Sequence, residues 1–464
     1  MPEIALPTGL KGVQASPYQQ ENVRNCIYSN GKLKGRPVVD NFLDFGAACR
    51  GLGLIRDLQT GDEELYGVWG QTLRRVTITN PQFGKRLNAG DVLSENVGGI
   101  ADSAPVQIVA DFSRACIMVV GGPAYIYDIN NETLEQITDA DYLPSVAVCV
   151  DDGRFVFTPE DGSPLFFTKL QDAADIDKRF FDAETKPDPN KSAFVRRGIL
   201  YALGSRSVEA LGYRPQIDNY QRISQNTDKV GFVSCLTQYG DSFCFLGQGE
   251  NGGFEFYQYT TQAEQISSET ISEILNKEYY ERELRNLTAT YFVWEGTPIA
   301  VFSLPRHTLV YYGDWAVWQT GVTGQELKTW RTNYVQFIYG YYWTGDSVDG
   351  SVGNLVYDNT EFGEPVESLI ETYAQGGPQE NFRIKNIYLD ITTGTAPNSR
   401  VSMSVSKENK FFGKKPNWQD LGTTGDYVRT IRLGPNVGRF PKFMALRIQF
   451  YGDVSLNVDG VSFD

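Results

Sequence analysis

Apolar residues along the chain come in short runs rich in Val, Ile, Tyr and Phe, broken by Gly, Asp and Asn, which predicts strands joined by tight turns. Leu65 to Trp69 turns at Gly70-Gln71 into Leu73 to Ile78, and Cys116 to Val120 turns at Gly121-Gly122 into Ala124 to Tyr127. Val146 to Val150 turns at Asp151, Asp152 and Gly153 into Arg154 to Phe157, then at Asp161-Gly162 into Leu165 to Thr168. Further hairpins run from Ile199 to Leu211, from Phe243 to Tyr259, from Tyr291 to Tyr312 and from Phe337 to Tyr357. They recur at irregular intervals of roughly 35 to 65 residues, as propeller blades with insertions do. Residues 1–50 read as an N-terminal segment leading into an irregular six- or seven-bladed β-propeller over 51–375. The bland alternative is a set of unrelated hairpins in a barrel or sandwich.

Two stretches depart from this pattern. In 262–287, Thr270 and Glu273 have capping-box spacing, and Ile271, Ile274, Leu275 and Tyr279 fall near helical spacing, so an amphipathic helix is expected between blades. Residues 169–191 mix Asp, Lys, Phe and Pro, and a short helix and loop are expected there. Either insertion serves a partner or covers a blade edge. After the linker Gln375 to Pro378, strict period-2 alternation in Phe382 to Ile391, Arg400 to Val405, Tyr427 to Leu433 and Ala445 to Phe450 predicts a C-terminal β-sandwich over 378–464. The fold class is therefore all-β with helical insertions.

Composition narrows the chemistry. The 464 residues carry 42 Lys and Arg against 57 Asp and Glu, a formal charge of −15. That balance argues against a protein that grips nucleic-acid phosphates. A single His excludes mechanisms that need two, including His-rich zinc and facial-triad iron sites. The opening residues lack a signal peptide's basic and apolar regions, and no apolar run is long enough to span a membrane. The six Cys form no C-x-x-C pair and lie mostly in apolar runs, so reduced, buried thiols and a reducing folding compartment are expected.

Candidate motifs mostly read as structure. Gly247, Gly249 and Gly252 match G-x-G-x-x-G, but a strand follows where the dinucleotide fingerprint needs a helix, so a hairpin turn is expected. His307 lacks an identifiable nucleophile and orienting partner and reads as a hydrogen-bonded structural residue. Asp346 and Asp349 miss the spacing of a calcium loop and read as turn chemistry. Trp315, Trp318, Trp330, Tyr339, Tyr341, Tyr342 and Trp343 could stack on sugars or bases, although packing of the blades is the plainer reading. No paired carboxylates can be picked from spacing, so no catalytic, cofactor-binding or metal-ligating residue is assigned.

Val301 to Tyr312, containing Leu304, Pro305, Arg306, His307, Leu309, Val310 and Tyr311, is followed by Trp315 and by Thr320-Gly321. This block resembles the Leu-Pro-Arg-His-x-Leu-Val-Tyr and Trp-x-Val-x-x-Thr-Gly stretches of the packaged-DNA stabilisation proteins of short-tailed bacteriophages (podoviruses), also called tail hub or nozzle proteins. Arg24 to Leu33 leading to Phe42 to Gly46 is similar to their opening segment.

The resemblance implies a non-enzymatic virion protein without a cofactor, assembled in the host cytoplasm. It implies a homo-hexameric tail ring below the portal and the head-to-tail adaptor ring, which extends the DNA exit channel and helps retain packaged DNA. It further implies a tail needle or plug as partner, with tail spikes or fibres as further candidates, and DNA that passes without sequence-specific binding. The ten matching residues are expected to hold one blade together, or, for Arg306 and His307, to reach a neighbouring subunit. A propeller glycosidase or carbohydrate-binding module is the alternative, and a receptor-binding fibre is disfavoured because long β-repeats are missing.

Overall fold

The structure is a computed structural model. It describes residues 3–4, 6, 22–29, 31–56, 61–79, 86–111, 113–170, 172–179, 188–223, 228–324, 329–372, 381–394, 396, 398–407, 412, 416–422, 425, 427–440 and 444–464.

Seven antiparallel four-stranded blades follow one another. The first comprises Cys49–Arg56, Glu63–Trp69, Thr72–Ile78 and Val92–Gly99, and the second Val106–Ala110, Arg114–Val119, Ala124–Asp128 and Thr133–Gln136. The third comprises Ser145–Asp151, Arg154–Pro159, Phe166–Thr168 and Ile176–Arg179, and the fourth Asn190–Arg196, Ile199–Gly204, Val208–Arg214 and Asn219–Arg222. The fifth comprises Gly231–Tyr239, Ser242–Gln248, Phe254–Tyr259 and Ala263–Gln265, and the sixth Ala289–Trp294, Thr297–Ser303, Thr308–Tyr312 and Val317–Gly321. The seventh takes three strands, Thr332–Ile338, Tyr341–Asp346 and Ser351–Val356, from its own stretch of chain.

The sequence repeat behind these blades lies in backbone conformation more than in letters. In blades three, four, six and seven the first two strands are joined by Asp152-Gly153, Arg197-Gly198, Glu295-Gly296 and Tyr339-Gly340, with φ from +47° to +58° at the first residue and from +69° to +82° at the glycine. Two successive left-handed residues are the type I′ arrangement, whose twist matches that of the flanking strands. Glycine recurs at the second position because it adopts this conformation without a steric penalty.

The first strands neighbour one another around a closed circle, from Cys49–Arg56 through Thr332–Ile338 and back. Each gap between blades has its own apolar core. Ile117, Val119 and Tyr66 fill the gap between blades one and two, and Phe155, Phe157 and Phe166 that between two and three. Trp343, Trp69 and Leu65 fill the gap between seven and one. Closure needs a fourth strand for the seventh blade, and the N-terminal segment supplies it: Val38–Asp44 pairs antiparallel with Ser351–Val356.

The sandwich also draws on both ends of the chain. One sheet runs Cys26–Ser29, Lys32–Gly35, Val454–Phe463, Ile387–Thr393, Val428–Leu433. The other runs Asn22–Arg24, Glu367–Glu371, Ala445–Tyr451, Arg400–Ser406, Gln419–Asp420, and Asn22–Arg24 joins it edge-on to Val317–Gly321 of blade six. The sandwich is therefore discontinuous in sequence and extends beyond the 378–464 that alternation suggests. Val23, Leu33, Leu389, Ile448 and Phe450 share its core.

In the insertion 262–287, Ala263–Gln265 completes blade five and Glu269–Glu278 is the helix. Its N-cap is Ser268, whose side chain accepts from Ile271 N, rather than Thr270. In 169–191, for which a short helix and loop are expected, Ile176–Arg179 is the outer strand of blade three and Asn190 opens the first strand of blade four; residues 171 and 180–187 lie outside the described residues.

Propeller and sandwich meet at a buried ion pair. Arg36 Nη2 lies 2.7 Å from Glu361 Oε2, with the two side chains 5% and 0% exposed. Arg36 also donates to Asn25 Oδ1 and to the carbonyls of Pro37 and Val322, and lies over the Trp330 ring. Glu361 further accepts from Val39 N, Thr323 Oγ1 and Trp330 Nε1. Burial pushes the Glu361 carboxyl up, but Arg36 and these donors outweigh it, and the group is held below its usual range.

Removing one member leaves the other charge buried without compensation. Arg36→Met or Glu361→Gln is expected to lower stability by about 3–5 kcal/mol, read by urea unfolding at neutral pH. Because the folded carboxyl is the stronger acid, its contribution is complete above the unfolded value of about 4.3 and is lost as pH falls through the lower folded value. The difference between wild type and Glu361→Gln should therefore be constant above about pH 5 and shrink towards pH 3.

Candidate functional site

The block 301–321 lies where three parts of the molecule converge. It spans the end of Thr297–Ser303, a turn, Thr308–Tyr312, a second turn and Val317–Gly321, which together make most of blade six. The first turn is closed by Leu304 N donating to His307 O at 2.9 Å. Leu304, Leu309 and Tyr311 are buried on one side of the blade with Phe302 and Trp318. Val310 points to the other side and packs with Tyr312, Trp330 and Val335 in the core shared with blade seven.

The helix docks on the first turn. Ile271 and Leu275, four residues apart and so on one face, are fully buried beside Leu304 and Leu309. Trp318 Nε1 donates to Ile266 O at 2.8 Å, and Tyr279 Oη lies 2.8 Å from His307 Nδ1. Glu278 is 3.4 Å from the same nitrogen. Arg306 stacks over the Tyr279 ring and lies 3.5 Å from Glu283. Pro305 and Arg306 are exposed and His307 is half-buried. The helix thus rests on an apolar seat with a polar rim, and its exposed side carries Glu269 and Glu278.

The second turn and last strand face the sandwich. Trp315 is 43% exposed and meets the Tyr28 ring edge-on at 5.3 Å. Thr320 O accepts from Asn25 N at 2.9 Å, and Thr320 is the register partner of Arg24. Gly321 pairs with Thr308, next to Trp330. The structure therefore brings Leu304, Leu309 and Tyr311 to the helix, Val310 and Gly321 to the core shared with blade seven, and Trp315 and Thr320 to the sandwich.

Sequence reasoning missed Arg36, Asn25 and Glu361, which join these parts. Arg36 and Glu361 are 325 positions apart, and no local spacing ties them together. A Trp-rich stretch that includes Trp330 was the only hint, and it gave no partner.

Other candidate chemistry resolves into structure. The Gly247–Gly252 match is a turn between two paired strands, closed by Gly252 N donating to Gly249 O. The acidic turn at 346–350 is occupied by a fixed cation, because the Arg331 guanidinium bonds both Asp346 and Asp349. Burial pushes the Asp346 carboxyl up to about 6 even so, with Arg331 opposing. All six Cys are buried and free, and burial raises the Cys26, Cys49 and Cys235 thiols to about 12, which makes them poor nucleophiles. Of the aromatic cluster, Trp318, Trp330, Trp343 and Tyr341 are buried in blade cores.

An open cleft of about 540 Å³ lies between blades one and seven, lined by Arg56, Asp62, Glu63, Glu64, Ile338 and Tyr339. Its Glu64 accepts from Tyr66 Oη and lies 3.7 Å from Arg75. Among the described residues, no group of three or more His, Cys, Asp or Glu is placed to hold a metal ion, and no helix is long and apolar enough to cross a membrane.

Residues 25–360, which include every blade, match the model of the phage stabilisation family described as "Bacteriophage P22 Gp10, beta-propeller", and the chain belongs to that family. It is a virion-associated structural protein of the packaged-DNA stabilisation class.

None of the curated proteins matches the chain. Among solved structures, the extracellular domain of the putative hybrid two-component system BT4673 from B. thetaiotaomicron aligns at 12% identity and a TM-score of 0.43, covering 78% of this chain and 45% of that one. This chain thus spans under half the length of that structure. The N-terminal domain of Nup159 aligns at 10% identity and a TM-score of 0.44, covering 73% of this chain and 99% of that one. The computationally designed Ika8 protein aligns at 9% and 0.40, covering 69% and 99%.

The helix seat is testable. Leu275→Ala is expected to lower stability by about 3 kcal/mol in urea unfolding and to speed hydrogen exchange of Glu269–Glu278. Arg306→Ala, at an exposed ion pair, should stay within about 1 kcal/mol of wild type.

Proposed function

We propose that the chain is a tail hub, or nozzle, subunit: one of six copies in a ring below the portal and adaptor. The ring extends the DNA exit channel, helps retain the packaged genome, and seats a needle or plug. Spikes or fibres are further candidates for its outer surface. The ten block residues serve this reading structurally, by fixing the helix and the sandwich on one blade.

The width of the propeller's own axis carries the reading. Neighbouring first strands approach within 8 Å between Cα atoms. At their closest level seven such strands enclose at most about 18 Å between backbones, which side chains narrow further. A duplex, with grooves about 8 Å deep on either side of its base pairs, is wider than that. DNA leaving the head therefore passes between copies rather than through one, and a channel between copies requires a closed ring. A chain with a formal charge of −15 also presents a surface on which phosphate does not condense.

Two measurements test this. Quantitative mass spectrometry of purified particles should return about six copies of the chain, and gold-labelled antibody should mark a single vertex. Label spread over the capsid, or protein found only free in the lysate, would remove the hub reading. Charge reversal on the insertion, Glu264→Lys with Glu269→Lys, should reduce particle yield severalfold if that face meets a neighbouring ring, while the circular dichroism spectrum stays that of wild type. Normal yield would leave the helix as a blade cover.

A further inference from the structure

The negative charge of the chain is unevenly spread. Residues 378–464 carry twelve Lys and Arg against eight Asp and Glu, whereas the rest carries thirty against forty-nine. The sandwich end is basic and the propeller strongly acidic. Within the propeller, residues 101–150, which contain blade two, hold seven acidic side chains and one basic, Arg114.

Part of each surplus lies near a sheet edge. Val428–Leu433 is the last strand of its sheet and pairs only with Ile387–Thr393, and it lies farthest from the hairpin that touches blade six. Tyr427 and Val428 beside it are 57% and 80% exposed. Around its end, Arg383, Lys385, Arg432 and Arg439 are all exposed. Arg383 and Arg439 are direct register partners, so two like charges face each other. Arg383 and Arg432 donate to the side-chain oxygens of Asn436 and Asn386, and among the described residues none of the four cations forms an ion pair. Among the described residues the nearby carboxylates are Asp464, whose side chain accepts from Asn386 Nδ2, and Asp390, which accepts from Thr430 Oγ1. In blade two the outer strand Thr133–Gln136 pairs only with Ala124–Asp128; Glu135 and Asp141 are exposed there, and Glu132 beside them already engages Arg75 of blade one at 2.9 Å.

The two edges also belong to different parts of the molecule. The sandwich grows outward from blade six, and blade two is three blades away in a circle of seven. A ring of identical copies needs two different, complementary patches facing roughly away from each other.

We infer that the basic end of the sandwich docks on the acidic outer edge of blade two of the next copy, forming the seam of the ring. This rests on the ring reading above and names the surfaces that close it. The contact is electrostatic, so it sets partner choice and register and weakens with salt.

The test uses full-length chains assembled into particles. Lys385→Glu with Arg439→Glu removes no side-chain hydrogen bond of the described structure, and Glu135→Lys with Asp141→Lys reverses the other edge. Each double variant should melt like wild type yet fall about tenfold in copies per particle. The quadruple variant should recover, because the seam is then inverted rather than abolished. Normal incorporation of both double variants would overturn the seam. So would losses that the quadruple variant does not recover, which would assign the basic end to another virion protein. Normal copy number with leakage of packaged DNA would assign it to phosphate instead. A wild-type chain absent from particles, or present as a single copy, would overturn the ring itself.

Discussion

The ion pair between Arg36 and Glu361 is the interaction on which the rest of the architecture depends. Two charges leave water there, and only full use of their donors and acceptors makes that tolerable. Arg36 arrives on the segment that has just built a sandwich hairpin and is about to close the seventh blade. Glu361 arrives on the chain that has just left that blade. Their partners Asn25, Val322, Thr323 and Trp330 belong to the strands and links around blade six. A single buried pair thus locks ring closure and the sandwich's attachment together. Loosening one exposes the other.

That coupling fits a part that must hold under load. Each blade is a small sheet that cannot bury both faces alone, so its stability comes from neighbours around the circle. Closing the circle with a strand from the far end of the sequence turns seven local contacts into one cooperative body. Fusing the sandwich to blade six through Asn22–Arg24 then gives a rigid lever projecting from the ring. Blade six bears the helix on one turn and the sandwich on its last strand, so one packed sheet holds both.

Much of this was legible in the letters. Period-2 alternation marked the sandwich strands because one of their faces is wet and the other dry. Gly and Asp turns marked the hairpins because those residues adopt the required backbone angles. Ile271 and Leu275 fell at helical spacing because one side of that helix is buried. Other features were not legible. Ser268, not Thr270, caps the helix, a difference of two residues that only the chain's entry angle decides. Residues 176–179 mix charges like a loop yet form an edge strand, because an outer strand with one solvent face needs few apolar residues.

The sequence by itself determined the all-β class, the hairpin repeat and the inserted helix, since all of these are written in contacts between near neighbours. Tertiary structure alone decided the number of blades, the strand that closes the circle, the two-ended origin of the sandwich and the pairing of Arg36 with Glu361. Those depend on residues hundreds of positions apart, whose meeting is set by loop closure and shared burial, and no local period records such a meeting.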